Sequence, residues 1–428
     1  MTHLMALDGS GMSLPPLSAG FDPTRRPRVF LYSHDTFGLG HLRRNLAIAT
    51  ALLDRPAPFA VTLLTGSPVI DSWKLPRGLR TQPLPPVVKT GAETYAARGS
   101  DLPFGLVKGY REALILKLVL RHRPEVLLVD HAPAGMNGEL LATLALIRRE
   151  IPETRCVLGL RDILDSPETV AKTWREQDIH GVLDHAYDDI LVYGSRRLFD
   201  VAEAYGLSAK AAAKLRYCGH VVARAAMAGG HGDGAPVCWN TSRAAGRPVV
   251  LVTAGGGGDG LALMEGYLAA LARLPAGLVH SAIVTGPLMA GAEAAALRAA
   301  TSRRSDVELI ERTTDLVPSI AAADAVVAMA GYNTSAELVA CGTRAILVPR
   351  AAPRAEQRLR AEMLHRLGLA VHVPPGDGLD ERLALALPAL LAGPRPQPAE
   401  AGLDLGGAAR VADFLGERTT ARLGERVA

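Results

Sequence analysis

The chain has 428 residues, 48% of them apolar and 21% charged, and its 47 Lys and Arg against 43 Asp and Glu leave a net charge of +4. That length suits two or three domains with separate cores, and so small and dispersed an excess argues against nucleic acid as a partner. Cys156, Cys218, Cys238 and Cys341 form no Cys-x-x-Cys pair, so neither a metal nor a disulfide framework is expected and a reducing cytoplasm is the simplest setting.

Residues 1–26 read as a loose Gly/Ser/Pro leader, without the basic start and continuous apolar core of a secretory signal. Short apolar runs then alternate with Ala/Leu-rich helical stretches. RVFLY (28–32), AVTLLT (60–65), EVLLVD (125–130), RCVLGL (155–160), DDILVYG (188–194) and LRYCG (215–219) predict strands. They are apolar at nearly every position, as parallel strands covered on both faces must be. DLPFGLVKGYREALILKLVL (101–120) predicts a helix with a core-facing apolar side, a membrane-surface patch being the other reading. Residues 226–246, rich in glycine and turn formers, predict a linker. VVLVTA (249–254), VHSAIVTG (279–286), VELIERT (307–313), DAVVAMA (324–330), RAILVPR (344–350) and LAVHVPP (369–375) then repeat the scheme. Residues 393–428 follow as a polar linker and terminal helix, and no run of 18 apolar residues predicts a membrane span. The fold class is α/β. Two doubly wound parallel sheets, over residues 27–225 and 247–392, face a central cleft at the carboxyl ends of their strands.

Three strand-end loops carry candidate chemistry. In SHDTFGLGHLRRN (33–45), Gly38 and Gly40 let backbone N–H groups approach a ligand, and the helix start adds partial positive charge. His41 ionises in the range needed to take a proton from a hydroxyl or donate to a phosphate; a tight turn with an incidental histidine is the plain alternative. TAGGGGDG (253–260) holds Gly255, Gly256, Gly257 and Gly258, yet it is neither the dinucleotide fingerprint nor a Walker A loop. AGYNTSAEL (330–338) predicts a helix capped by Asn333, Thr334 or Ser335, with Glu337 in its first turn. Asp35, Asp130, His131, Arg161 and Asp162 also fall at strand ends, where a carboxylate serves as base, orients His41, or merely caps a turn.

These loops resemble known families. MAGYNTSAE is similar to the HCGWNS-x-x-E signature of family 1 glycosyltransferases, from Gly331 through Asn333 to Glu337. Residues 330–368 resemble family 28 without gaps through Glu337, Gly342, Pro349 and Glu356-Gln357, and FGLGHLRR and TAGGGGDG resemble that family's two Gly-rich loops. The resemblance spans residues 28 to 373 and implies the GT-B architecture, two Rossmann-like domains with the acceptor on the first and a nucleotide sugar on the second. It implies that Glu337 accepts from the ribose hydroxyls and that Gly331, Asn333 and Thr334 hold the diphosphate. Gly255 to Gly258 would close on the phosphates, while Glu356 and Gln357 read the donor sugar. His41, with Asp35 or Asp130, would act as base or phosphate-side donor, and Gly38, Gly40, Arg44 and Arg161 would line the phosphate or acceptor side.

The sequence also departs from those patterns. Met329 stands where family 1 has a phosphate-binding histidine, Glu356 where family 28 has glutamine, and Leu39 at a position usually glycine. Retaining family 4 enzymes carry a second glutamate eight residues before theirs; Met329 occupies that position, which implies inversion. GLGHLRRNLAIATAL further resembles the UDP-sugar hydrolases of pseudaminic acid synthesis, with His41 and Arg44 matching. The expected activity is sugar transfer from a nucleotide sugar, a UDP-sugar by resemblance, to a sugar, lipid-linked or small-molecule hydroxyl. No cofactor is expected, and the absence of an Asp-x-Asp tripeptide agrees with a metal-independent site. Donor hydrolysis, a non-catalytic nucleotide-sugar sensor or assembly subunit, and an epimerase of the same fold remain alternatives. The expected location is the cytoplasm, with peripheral contact at the inner face of a membrane left open.

Overall fold

Continuous apolar runs fold into parallel strands whose alternate side chains enter two different cores. The computed structural model describes residues 26–34, 40–90, 94–99, 101–223, 226, 246–311, 313, 316–350, 354–398 and 401–425. The first half contributes β1 (Arg28–Ser33), β2 (Ala60–Thr65), β3 (Arg80–Pro83), β4 (Val87–Lys89), β5 (Tyr95–Ala97), β6 (Val126–Asp130), β7 (Arg155–Arg161), β8 (Asp189–Tyr193) and β9 (Leu215–Tyr217). The second contributes β10 (Val249–Thr253), β11 (His280–Val284), β12 (Val307–Ile310), β13 (Ala325–Ala328), β14 (Ala345–Leu347) and β15 (Val371–His372). One sheet runs β3-β2-β1-β6-β7-β8-β9 and the other β12-β11-β10-β13-β14-β15. Both are parallel throughout, whereas β4 and β5 form a separate antiparallel pair. In β6, Leu127 and Val129 enter one core and Val126 and Leu128 the other. In β13, Val326 and Ala328 oppose Ala325 and Val327 in the same way. Each sheet is therefore doubly wound, as its near-continuous hydrophobicity requires.

All twelve strands read from the sequence are present, and the three it missed have local reasons. β3 is an edge strand with three of its four residues exposed, so it lacks the apolar run that marks the others. β4 and β5 are three residues each, too short to show a period. The expected linker at 226–246 lies, except for Ala226 and Gly246, outside the described residues, and so does Cys238.

The helix Phe104–His122 is amphipathic, burying Val107, Ile115 and Val119. It also buries Arg111 completely, because Arg111 forks onto Glu139 through two bonds of 2.7 Å and donates to the Pro85 carbonyl at 2.8 Å. A buried charge needs such a fully bonded setting. Its other side leaves Leu106 and Tyr110 exposed. Among the described residues no helix is long and apolar enough to cross a membrane.

The terminal helix Gly407–Glu425 does not stay with the second sheet. It packs on the Gly40–Leu53 helix, and Val411, Ala412 and Leu415 join the core under β1 and β2. Leu415 is fully buried. Leu415→Ala is expected to destabilise the protein by about 2–5 kcal/mol, the usual loss for a buried leucine, read as a lower urea midpoint.

Candidate active site

The carboxyl ends of β1 and β6 bring three imidazoles and a carboxylate together. His41, in the first turn of the Gly40–Leu53 helix, lies with its Nδ1 2.6 Å from Oδ2 of Asp130 at the end of β6. Arg44, one turn further, donates to both oxygens of the same carboxylate at 2.8 and 2.6 Å. Burial alone would raise the Asp130 pKa, but Arg44 and the hydrogen bond from His41 hold it well below the usual carboxylate range. An ionised Asp130 fixes the proton of His41 on Nδ1 and leaves Nε2 as its basic atom. The His34 ring centroid lies 4.3 Å and the His131 centroid 5.4 Å from that of His41. Burial pushes both of these histidines well below the ordinary imidazole range, with the charge on Arg161 adding to the effect at His131. His131 has φ 70, a left-handed conformation costly for a side chain of this kind. Asp35, Gly38 and Leu39 lie outside the described residues.

On the opposite wall, the Gly-rich loop and the AGYNTSAEL segment follow β10 and β13. Gly255 and Gly257 have φ of 66 and 90. A Cβ on Gly257 would sit 2.0 Å from the Thr285 carbonyl oxygen, so the fold itself requires glycine there. At Gly331 a Cβ would meet nothing within 4 Å, so packing gives no reason for that glycine. The expected side-chain cap does not form. The nine-residue helix runs Tyr332–Ala340 with Gly331 as its N-cap and no side-chain cap bond. Gly331, at φ −64 and ψ 147, takes the cap position, so Asn333, Thr334 and Ser335 lie inside the first turn rather than before it. Glu337 is correspondingly a turn later than expected, and the first turn holds no acidic residue. The N–H groups of an uncapped first turn, with the helix dipole behind them, favour an anion.

Several bonds join the two walls. Tyr332 reaches into the first domain's core, where its hydroxyl accepts from Val221 N at 2.9 Å and donates to the Tyr193 carbonyl at 3.0 Å. Arg44 lies 5.4 Å from the centre of its ring and Arg360 5.6 Å. Arg360 in turn donates to Asp162 at 2.8 Å, which holds that buried carboxyl well below its ordinary range against the opposing effect of burial. Asp165 accepts from the backbone N–H of Ala355 at 2.8 Å. Asn333 donates to the Gly40 carbonyl at 3.0 Å, and Arg43 pairs with the buried Glu337. Arg161 pairs with the buried Glu356 at 2.8 Å. Gln357, also buried, accepts from Arg350 N at 3.1 Å.

The sequence-predicted residues thus separate by position. Gly40 and Asn333 meet where the walls touch, Glu337 meets Arg43 there, His41 sits beside Asp130 and Arg161 beside Glu356. Arg44 is only 2% exposed and bonds both oxygens of Asp130, and Asp162 is an interdomain ion-pair partner. Tyr332, Arg360, Asp165 and Arg43 gain their importance from partners far away in sequence. Beside Arg43 and Glu337 lies a cavity of about 270 Å³, lined also by Trp73, Lys74, Val317 and Asn333. No three His, Cys, Asp or Glu residues among the described ones are grouped to hold a metal ion.

Residues 249–402 match the model of the glycosyltransferase family 28 C-terminal domain, and solved glycosyltransferases share the two-sheet architecture. The chain is a family 28-like GT-B protein. It is 36% identical over 125 residues to the UDP-N-acetylglucosamine--N-acetylmuramyl-(pentapeptide) pyrophosphoryl-undecaprenol N-acetylglucosamine transferase of Acidiphilium cryptum, a match covering 29% of this chain and 34% of that one. To the protein of the same name from Sorangium cellulosum it is 41% identical over 81 residues, 19% of this chain and 20% of that one. The matched stretches therefore span only a fifth to a third of these relatives. A solved UDP-glucosyltransferase from Polygonum tinctorium superposes with a TM-score of 0.62 at 16% identity, over 92% of this chain and 98% of that one.

The buried charges of this family 28-like protein imply a definite response to acid. His34 and His131 stay neutral in the fold, so below about pH 6.5 only the unfolded chain takes up their protons. Asp130 and Asp162 have depressed pKa values, so their stabilisation is complete at neutral pH and is lost as pH falls below about 5, toward the folded-state values. Stability should therefore decline in two stages on acidification, the second steeper. Urea midpoints from pH 7 to pH 4 check this. Asp162→Asn should be less stable at pH 7 and show a shallower second stage, and a wild-type midpoint unchanged between pH 7 and 5 contradicts the neutral-histidine assignment.

Proposed function

We propose that this protein is an inverting glycosyltransferase that moves a sugar from a nucleotide-sugar donor, a UDP-sugar, to a hydroxyl acceptor without a metal ion. The observation that carries this reading is the His41–Asp130 pair next to a helix start without a side-chain cap, Asn333 of that helix donating to the carbonyl of Gly40 beside His41. His41 Nε2 takes the proton of the acceptor hydroxyl while Asp130 stabilises the imidazolium that forms. The acceptor oxygen attacks the anomeric carbon from the side opposite the diphosphate. The bond from that carbon to the diphosphate oxygen breaks, and its electron pair leaves with the phosphate. The first-turn N–H groups of the Tyr332 helix and the amides of Gly255 to Gly258 meet that developing charge as preorganised dipoles. Glu337 binds the ribose hydroxyls, for which an ionised carboxylate is a suitable acceptor. The similarity to the peptidoglycan-precursor transferases supports the donor class and leaves a lipid-linked acceptor as the first to try. The reading goes with a cytoplasmic location and with peripheral membrane contact if the acceptor is lipid-linked.

A panel of nucleotide sugars, offered with and without acceptors, tests the reaction. Transfer should appear only when a hydroxyl acceptor is present; free sugar released without one identifies a hydrolase. His41→Ala should abolish turnover while donor affinity stays near wild type. Glu337→Ala should weaken donor binding by about 1.5–3 kcal/mol, the value of hydrogen bonds to a charged group, and unchanged affinity sinks the ribose assignment.

Arg43 gives a separate expectation. Its guanidinium pairs with Oε1 of the carboxylate that this reading assigns to ribose, so Arg43 competes with a donor for that oxygen. Arg43→Ala should therefore bind uridine diphosphate more tightly than wild type by calorimetry, and weaker binding reassigns Arg43 to the ligand.

A further inference from the structure

The Tyr332 helix borders a cavity that the chemistry described so far does not use. About 270 Å³ in volume, it is lined by Glu337, Asn333 and Val317 of the second domain and, among others, by Trp73, Lys74 and Ala47 of the first. A space of that size takes a nucleoside rather than a whole nucleotide sugar. Neither His41 nor Asp130 lines it, so the acceptor hydroxyl does not lose its proton there, and the helix start at Gly331 does not line it either.

Position along the helix decides which part of a donor the cavity suits. The reading above places the diphosphate beside Gly331 and the ribose on Glu337, about 9 Å further along the axis. Phosphates and base leave a ribose from opposite ends. With the ribose hydroxyls on Glu337, the base continues away from the helix start, and the cavity is the space that Glu337 adjoins on that course.

Trp73 supplies what a base needs there. It ends the short turn Ile70–Ser72 after β2, in extended backbone at φ −98 and ψ 143, and its N–H donates to the Ile70 carbonyl at 3.1 Å. Its side chain packs against the core under β1 and β2 and also lines the cavity. An indole anchored in this way is a platform for stacking, since every base has a π face and an immobilised ring loses little further entropy. Val317 and Ala47 add apolar wall, and the exposed Lys74 offers a cation to the carbonyl oxygens of a pyrimidine.

We propose that the donor's nucleobase enters this cavity and stacks on the indole of Trp73. A first-domain residue then reads a nucleotide that the family resemblance puts wholly on the second domain. This rests on the nucleotide-sugar reading and adds to it the residue that recognises the base.

Ligands that differ only in the base test the assignment on the full chain. By calorimetry, uridine monophosphate should bind about tenfold or more tighter than ribose 5-phosphate, as one stacked base implies. Trp73→Leu should weaken uridine monophosphate by about fivefold or more and leave ribose 5-phosphate unchanged. Fluorescence gives a second reading. Of the three tryptophans, Trp174 is buried in the first domain's core. Uridine monophosphate should quench the emission of the wild type, and Trp73→Phe, which keeps an aromatic face, should still bind it but lose the quench. Equal binding of the two ligands to the wild type overturns the assignment, and so does a quench that survives Trp73→Phe. Where Trp73→Leu weakens both ligands alike, the Trp73→Phe quench decides. Nucleotide binding that no Trp73 variant alters leaves the nucleotide-sugar reading standing and puts the base elsewhere. Failure of uridine diphosphate to bind wild-type protein is a different result, and it removes that reading together with the cavity's role.

Discussion

One aromatic ring between two guanidiniums joins the halves of this molecule. Tyr332 belongs to the second domain by sequence, yet its side chain completes the first domain's core, with Arg44 and Arg360 beside the ring. Neither cation could be buried alone. Arg44 is neutralised by Asp130 and Arg360 by Asp162, so the stack carries two balanced ion pairs. Asp130 also holds His41, so the contact that joins the domains shares a carboxylate with the proposed base. Domain contact and the state of the base are therefore linked through one side chain.

The fold was legible in the sequence because its signals are local. A parallel strand covered on both faces must be apolar at successive positions, and each of the twelve runs met that condition without knowledge of its neighbours. The candidate site was legible only as a set of loops. A strand end marked Asp130 and a glycine loop marked His41, but their pairing joins residues 89 apart in sequence. The family resemblance put Arg44 on the phosphate or acceptor side. The structure turns it inward, for a reason that lies in Tyr332, far along the chain. Glu356 differs from the family's glutamine, and its sequence gave no hint that Arg161 would meet it. The helix start at Gly331 misled differently. Asn333, Thr334 and Ser335 in a row suggested a cap, but capping depends on which residue adopts extended backbone, and here that is the glycine.

The two walls divide the electrostatic work. Orphan amides and a helix dipole on the second domain favour negative charge without any ionisable group. On the first domain, burial keeps two histidines neutral around a third that is oriented by an ionised carboxylate. Dipoles need no counterion and do not titrate, so the second wall keeps its polarity whatever the charge on the first.

The return of the terminal helix to the first domain has a mechanical meaning. The chain crosses between domains twice, and the two crossings are stitched side by side: Val221 bridges Gly406, His220 N–H donates to Asp404 at 2.7 Å, and Gly407 N–H donates to His220 at 3.0 Å. A single tether would let the second domain swivel freely. A paired crossing fixes where both connections leave the first domain, so the backbone itself, besides the side chains around Tyr332, ties the two segments together at this point.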